Sequence, residues 1–124
     1  MYSSGARILN CTIWGNVSGG DDYADLYHAT TSGSVVNTIA GSATVSATTA
    51  SCNILNADPG FKNAAAGNFH LGGTSPAVDA GDTSAWTGIE GAADLDGNAR
   101  VIRRVVDIGC YEYCGKNGTI LCIY

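Results

Sequence analysis

The sequence predicts an all-β protein whose chain winds into a parallel β-solenoid, and three observations carry that expectation. The 124 residues include 17 glycines and are 45% apolar but only 14% charged. That is too apolar for a disordered chain and lacks the glycine period of collagen. Turn residues recur throughout, and no helix is expected between the strand-like runs. The chain also repeats itself: "LNCTIWGN" (9–16) returns as "VVNTIAGS" (35–42), and "SCNILN" (51–56) follows as a degenerate copy. Its length is that of one domain.

Each copy sets a β-branched apolar residue between small polar ones and ends in Gly, Asn or Ser, the pattern of a short strand and a turn. Aligning Thr12 and Ile13 with Thr38 and Ile39 gives a repeat of 26 residues, and Ile39 to Ile54 gives 15. Strands recurring in this way stack coil on coil and bury their inward residues against equivalent ones. Asn10 and Asn37 then form an asparagine ladder, with Asn53 as a third rung. Cys11 and Cys52 are expected as buried free thiols. Solenoids usually need about three repeats, so residues 1–56 read as the last two or three coils of a longer winding.

Residues 57–113 read as an irregular C-terminal cap. "NADPGF" is a turn built on Pro59 and Gly60, "GNFHLGG" a short strand, and Ser75-Pro76 a second turn leading into "AVDAGD". Residues 83–93 form a loop holding Trp86, "DLDGNAR" (94–100) a turn, and the β-prone run 101–113 a closing strand. The cap covers the last coil, whose open edge would otherwise invite aggregation. Residues 114–124 form a tail with one turn and an apolar run able to pair with an open edge.

A net charge of −5 with six basic residues argues against a nucleic-acid partner, which needs clustered Lys and Arg. No apolar run is long enough to span a membrane. The first residues lack a basic region and an apolar stretch, so no signal peptide is read. A bridge between two of Cys110, Cys114 and Cys122 is expected only in an oxidising compartment, and no CxxC spacing suggests zinc.

Several residues invite chemistry. Asp21, Asp22 and Asp25 form an acidic cluster; paired carboxylates protonate a leaving oxygen and activate water in glycoside hydrolysis, although a solvated turn is the ordinary outcome. Asp94, Asp96 and Asn98 place oxygens at alternate positions around Gly97, like the start of a calcium loop, but no Glu stands at the twelfth position. The alternative is a turn in which Asp94 caps backbone N–H groups and Arg100 pairs with an acidic neighbour. Asp79 and Asp82 flank Gly81 and read as structural, with Asp79 buried against backbone N–H groups or Arg100. Trp14, Trp86, Tyr23 and Tyr27 offer rings for glycan stacking, Trp14 facing outward because it follows inward Ile13. His28 and His70 are isolated and read as surface or packing residues.

Taken in order, "NCTIWGN", "ADPGF", "GNFHLGGTSPAVDAGD", "DLDGNAR" and "VDIGCYEY" resemble the C-terminal part of bacterial right-handed parallel β-helix surface proteins of the choice-of-anchor Q type. The likeness covers roughly residues 8–112. It implies a pectin lyase-like fold in a secreted or cell-surface protein, with a structural role and a surface for carbohydrate or adhesion partners. The alternative it implies is a fragment of a pectate lyase- or polygalacturonase-like enzyme using the acidic cluster. The chain departs from those enzymes in lacking Gly-His-Gly and Arg-Ile-Lys elements. It departs from the surface proteins in carrying Cys110 where a small residue is usual and no anchoring motif after Tyr113.

Overall fold

A computed structural model of the chain describes residues 6–20, 25–29, 31–47, 49–86, 92–102 and 104–115. The strands β1 (Arg7–Leu9), β2 (Thr12–Ile13), β3 (Leu26–His28), β4 (Ser34–Val36), β5 (Ile39–Ala40), β6 (Ala43–Val45), β7 (Thr49–Ser51) and β8 (Ile54–Leu55) build three sheets. Their orders are β1-β4-β7, β2-β5-β8 and β3-β6, and every pairing is parallel. The chain therefore visits each sheet in rotation and returns beneath its own previous strand. No α-helix occurs among the described residues.

The corners between the first and second sheets explain the register. Asn10, Asn37 and Cys52 share positive φ values of 47°, 54° and 51°, a left-handed conformation that Asn tolerates better than most residues. Asn10 and Asn37 lie 27 residues apart and hydrogen-bond side chain to side chain at 2.9 Å. The winding follows that spacing: Thr12 pairs with Ile39 and Ile13 with Ala40, so the expected alignment of Thr12 with Thr38 is one residue out. A slip of one exchanges the faces of a strand. Ala40 consequently points into the winding and Ile39 out of it, into separate apolar clusters. The shorter second repeat is as expected, Ile39 pairing with Ile54.

Cys52, rather than Asn53, is the third rung of the corner. Asn53 instead spans the preceding coil, accepting from Thr38 N–H at 2.8 Å and donating to the Val35 carbonyl at 2.7 Å. Cys11 is half-buried and Cys52 exposed, both as free thiols. Cys52 is uncovered because it stands at the corner of the last coil.

Ile8, Leu26, Val35 and Ala40 fill the interior, with Ile13, Ala43, Val45 and Leu55 packed around them. A second cluster lies outside the β2-β5-β8 sheet, where Ile39 meets Leu71, Ala77 and Ile108, flanked by Trp14, Ile54 and Phe61. The C-terminal segment supplies that outer cover. It begins with the antiparallel hairpin β9 (Phe61–Asn63) and β10 (Asn68–Leu71), whose 3₁₀ turn is capped by Asn63 and closed by left-handed Gly67. Residues 83–86, expected as loop, form a short 3₁₀ turn.

The closing run differs from expectation. Among the described residues of the run 101–113 no strand occurs, only an isolated bridge between Ile102 and Val105. Val106, Asp107, Ile108 and Glu112 are buried, and the backbone makes single bonds to several partners: Ile108 N to Ala77 O, and Gly109 N to Asn37 O. The contacts of this segment run along the side of the winding, at Asn10, Thr12, Asn37 and Ile39 and, in the last coil, at Ile54, while all three residues of β7 are exposed.

Candidate functional site

The densest polar assembly ties the C-terminal segment to the corner ladder. Asn10 Nδ2 donates to the carbonyls of Asp107 at 2.7 Å and Gly109 at 3.2 Å, and its Oδ1 accepts from Trp86 Nε1 at 2.7 Å. Asn37 clamps the backbone of Asp82 from both sides: its Oδ1 accepts the Asp82 N–H at 2.6 Å and its Nδ2 donates to the Asp82 carbonyl at 3.0 Å. A primary amide bonded in this way stands in for a neighbouring strand. The ladder therefore fixes both the register within the winding and the position of the segment beside it.

Arg100 anchors the other half. Its guanidinium donates to Glu112 Oε1 at 3.0 Å, with both side chains almost inaccessible to water, and to the Asn10 carbonyl at 3.3 Å. The Trp86 ring lies 5.4 Å from its centre, within cation–π range. Glu112 Oε2 accepts the Asp107 N–H at 3.0 Å, and Asp107 accepts the N–H groups of Asp79 and Tyr113, both at 2.6 Å. Burial, reinforced by the charge of Asp107, pushes the Glu112 carboxyl up to about 8 against the opposing pull of Arg100. Desolvation thus outweighs the ion pair.

The turn 94–100 joins this network from below. Asp94 Oδ1 accepts the N–H groups of Asp96 at 2.9 Å and Asn98 at 2.8 Å, while Oδ2 accepts from Glu112 N–H at 2.9 Å and Asn98 Nδ2 at 3.2 Å. These are the bonds of the turn-capping alternative. Arg100 has the acidic partner expected of it, and that partner is Glu112. Among the described residues no group of three His, Cys, Asp or Glu side chains is set to hold a cation.

Other candidates are placed separately. Asp25 is buried, its carboxylate accepting from Asn16 N–H, Asn16 Nδ2 and Ser42 N–H at 2.8–2.9 Å. It locks a turn against the winding, an arrangement suited to structure rather than to proton transfer. Asp21, Asp22 and Tyr23 lie outside the described residues. Trp14 faces outward but meets Phe61 edge-on at 5.2 Å, so the hairpin covers part of the ring proposed for stacking. Tyr27 is half-buried on β3. Asp82 caps the 3₁₀ turn through Ser84 N–H and Oγ at 2.9 and 2.6 Å, and half-buried Asp79 offers its N–H to Asp107. His28 is fully buried, and neither ring nitrogen has a hydrogen-bond partner.

Beside the polar assembly lies a cleft of about 500 Å³ lined by Lys62, His70, Asp96, Asn98, Glu112 and Tyr113, among others. His70 Nε2 lies 2.7 Å from Asp96 Oδ2, and its ring stacks on Tyr111 at 4.0 Å. Cys114, at the rim, is disulfide-bonded. Sequence reasoning missed Asp107 and Glu112. The available signal was a pair of carboxylates inside the apolar run "VVDIGCYEY", where an acid needs a partner.

Comparison of the chain with protein families, with curated proteins and with solved structures returns no match.

Proposed function

We propose that this chain is the closing section of a right-handed parallel β-helix with a non-catalytic, structural role in a secreted or cell-surface protein. The observation that carries this reading is the destination of the buried carboxylates. Asp25, Asp94, Asp107 and Glu112 direct their oxygens to backbone N–H groups or Arg100, as residues that hold segments together do. Right-handedness follows the strong bias of crossovers between parallel strands. The disulfide at Cys114 favours an oxidising compartment. The motif order shared with choice-of-anchor Q proteins supports the same assignment.

The test is incubation with polygalacturonate and related acidic glycans, following new reducing ends and unsaturated products. No turnover is expected; turnover abolished by Asp25→Asn would replace this reading with an enzymatic one. A second reading, binding of a saccharide, is favoured by the cleft, which offers carboxylate, amide and ammonium groups beside aromatic rings. A glycan array probed with the chain and with His70→Ala tests it: a signal lost in the variant supports the cleft, and no signal removes it.

A further inference from the structure

Side chains pin the winding in two places. In the last coil Asn56 Oδ1 accepts the Ala43 N–H at 2.8 Å and its Nδ2 donates to the Ala43 carbonyl at 3.0 Å, the two bonds that a further strand of sheet β3-β6 would make. Around β1 and β2 the fastening comes from the outer segment. Asn10 Nδ2 donates to the Gly109 carbonyl at 3.2 Å, and Cys110 N–H donates to Thr12 Oγ1 at 3.1 Å. Gly109, at a φ of 99°, lies on the sheet itself, since a Cβ there would stand 2.7 Å from Ile39 Cδ1 and 2.8 Å from Thr12 Oγ1. A larger residue would hold the two backbones apart.

Two thiols stand among those contacts. Cys11 lies between Asn10 and Thr12, and Cys110 follows Gly109, so each cysteine has neighbours bonded to the other's stretch of chain. Both are half-buried and free. The Cys11 thiol donates only to the Leu9 carbonyl, at 3.4 Å, a weak bond that a sulfur gives up readily. Burial pushes this thiol up, and the neighbouring Cys110 adds to the rise, as groups close enough to feel each other's charge do. A disulfide needs Cα atoms about 4.4–6.8 Å apart, a span matched by backbones that one side chain bridges. We propose that Cys11 and Cys110 form a reversible disulfide that staples the outer segment to the winding, the oxidant being a low-molecular-weight disulfide such as oxidised glutathione.

The exchange proceeds in two displacements. The Cys110 thiolate attacks one sulfur of the oxidant and expels the first glutathione thiolate; the Cys11 thiolate then attacks the Cys110 sulfur of the mixed disulfide and expels the second. The two protons that the cysteines give up pass to the two glutathione thiolates, so the oxidant gains the two electrons that the protein loses. Excess glutathione runs both steps backwards. With Cys114 already bridged, the bond leaves Cys52 as the odd thiol of five. The loop it closes, from 11 to 110, takes in most of the chain and so restrains the unfolded state strongly. In the folded state it lies beside the bonds of Asn10 and Arg100 and makes that junction covalent.

The test equilibrates the full chain in glutathione buffers of rising oxidised fraction, alkylates it in denaturant and maps its peptides without reductant. A peptide joining Cys11 to Cys110 is expected to appear, while Cys52 carries only alkyl or glutathione groups. The melting temperature should rise in step by about 10 °C, and the amides of Ile108 and Gly109 should gain protection from hydrogen exchange. Cys11→Ser and Cys110→Ser should each abolish the joined peptide and the rise, and Cys52→Ser should keep both. The parent's own titration decides the question should a variant fail to fold. Cys11 and Cys110 ending as separate glutathione adducts, or either one joined to Cys52, overturns the proposal. So does a joined peptide whose formation leaves the melting temperature unchanged or lower.

Discussion

The winding and the segment beside it are held by different means. In residues 6–56 the interior is apolar and repeats by column, so that Ile8 and Val35, like Ile13, Ala40 and Leu55, occupy equivalent places on successive coils. Each such column can change by small steps without altering the path of the chain. In residues 57–115 a compact apolar patch at Leu71, Ala77 and Ile108 is matched by a buried polar network of Asp94, Arg100, Asp107 and Glu112, whose members each bond to two or more specific groups and have no periodic substitute. The first region gains stability from repetition and loses it gradually. The second is fixed by a few directional contacts, and removing one leaves a buried polar group without its partner.

Arg100→Ala should break that contrast most severely. It removes the bonds to Glu112 and to the Asn10 carbonyl, at about 1.5–3 kcal/mol for each bond made by a charged group, and the loss should fall first on the outer segment. Hydrogen exchange should show the amides of Gly81, Ile108 and Gly109 losing protection before those of Ile39 and Ile54. Equal loss in both regions would mean that they unfold as one unit.

Asn37→Ala strikes the point where the regions meet, removing three side-chain bonds at a residue in left-handed conformation. About 3 kcal/mol is expected from urea denaturation, combining lost bonds with the backbone penalty. Asn37→Gly relieves the backbone part and should recover about 1 kcal/mol. Identical losses in the two variants would show that the corner conformation is unstrained.

Solution pH sharpens the comparison through Glu112. Its carboxyl rises from 4.5 in the unfolded reference to about 8 in the folded protein, so between those values the folded state holds more protons. The associated stability is complete below the lower value and disappears as pH climbs through the higher one, with a slope of at most about 1.4 kcal/mol per pH unit. Denaturation curves across that window should therefore weaken with rising pH, and Glu112→Gln should flatten the trend. A parent protein as stable at the alkaline end as at the acid end would contradict this.

The smallest effect belongs to the winding. His28 is fully enclosed with both ring nitrogens unsatisfied, so His28→Leu should raise stability by about 1–2 kcal/mol, measured as an increased melting temperature. A decrease would show that the ring finds a partner in solution.

Much of the winding was legible because it repeats. The asparagine pair at Asn10 and Asn37 carried the correct spacing of 27 residues, whereas the similarity of Thr-Ile pairs pointed to 26. The corner conformation, not the look of the strand, sets the frame. The outer segment was legible only as punctuation: the turn at Asp58, which accepts the Gly60 N–H at 2.8 Å, and the turn closed by Asp94. Its closing run 101–113 carried the β-branched residues of a strand but lacked a partner strand, and burial of Asp107 and Glu112 overrode its propensity. Nothing in local sequence states that Arg100 will find Glu112 rather than Asp79, because that choice depends on how the chain folds back.

The single amide of Asn56 has a mechanical consequence. By filling the edge of β6 it leaves one wall of the winding two strands deep while the other two walls are three deep. A load along the axis is therefore shared by three walls at the upper junction and by two at the lower, where the last coil lacks a third ladder. Pulled end to end, the protein should peel from that coil first, at the side where a side chain has taken the place of a strand.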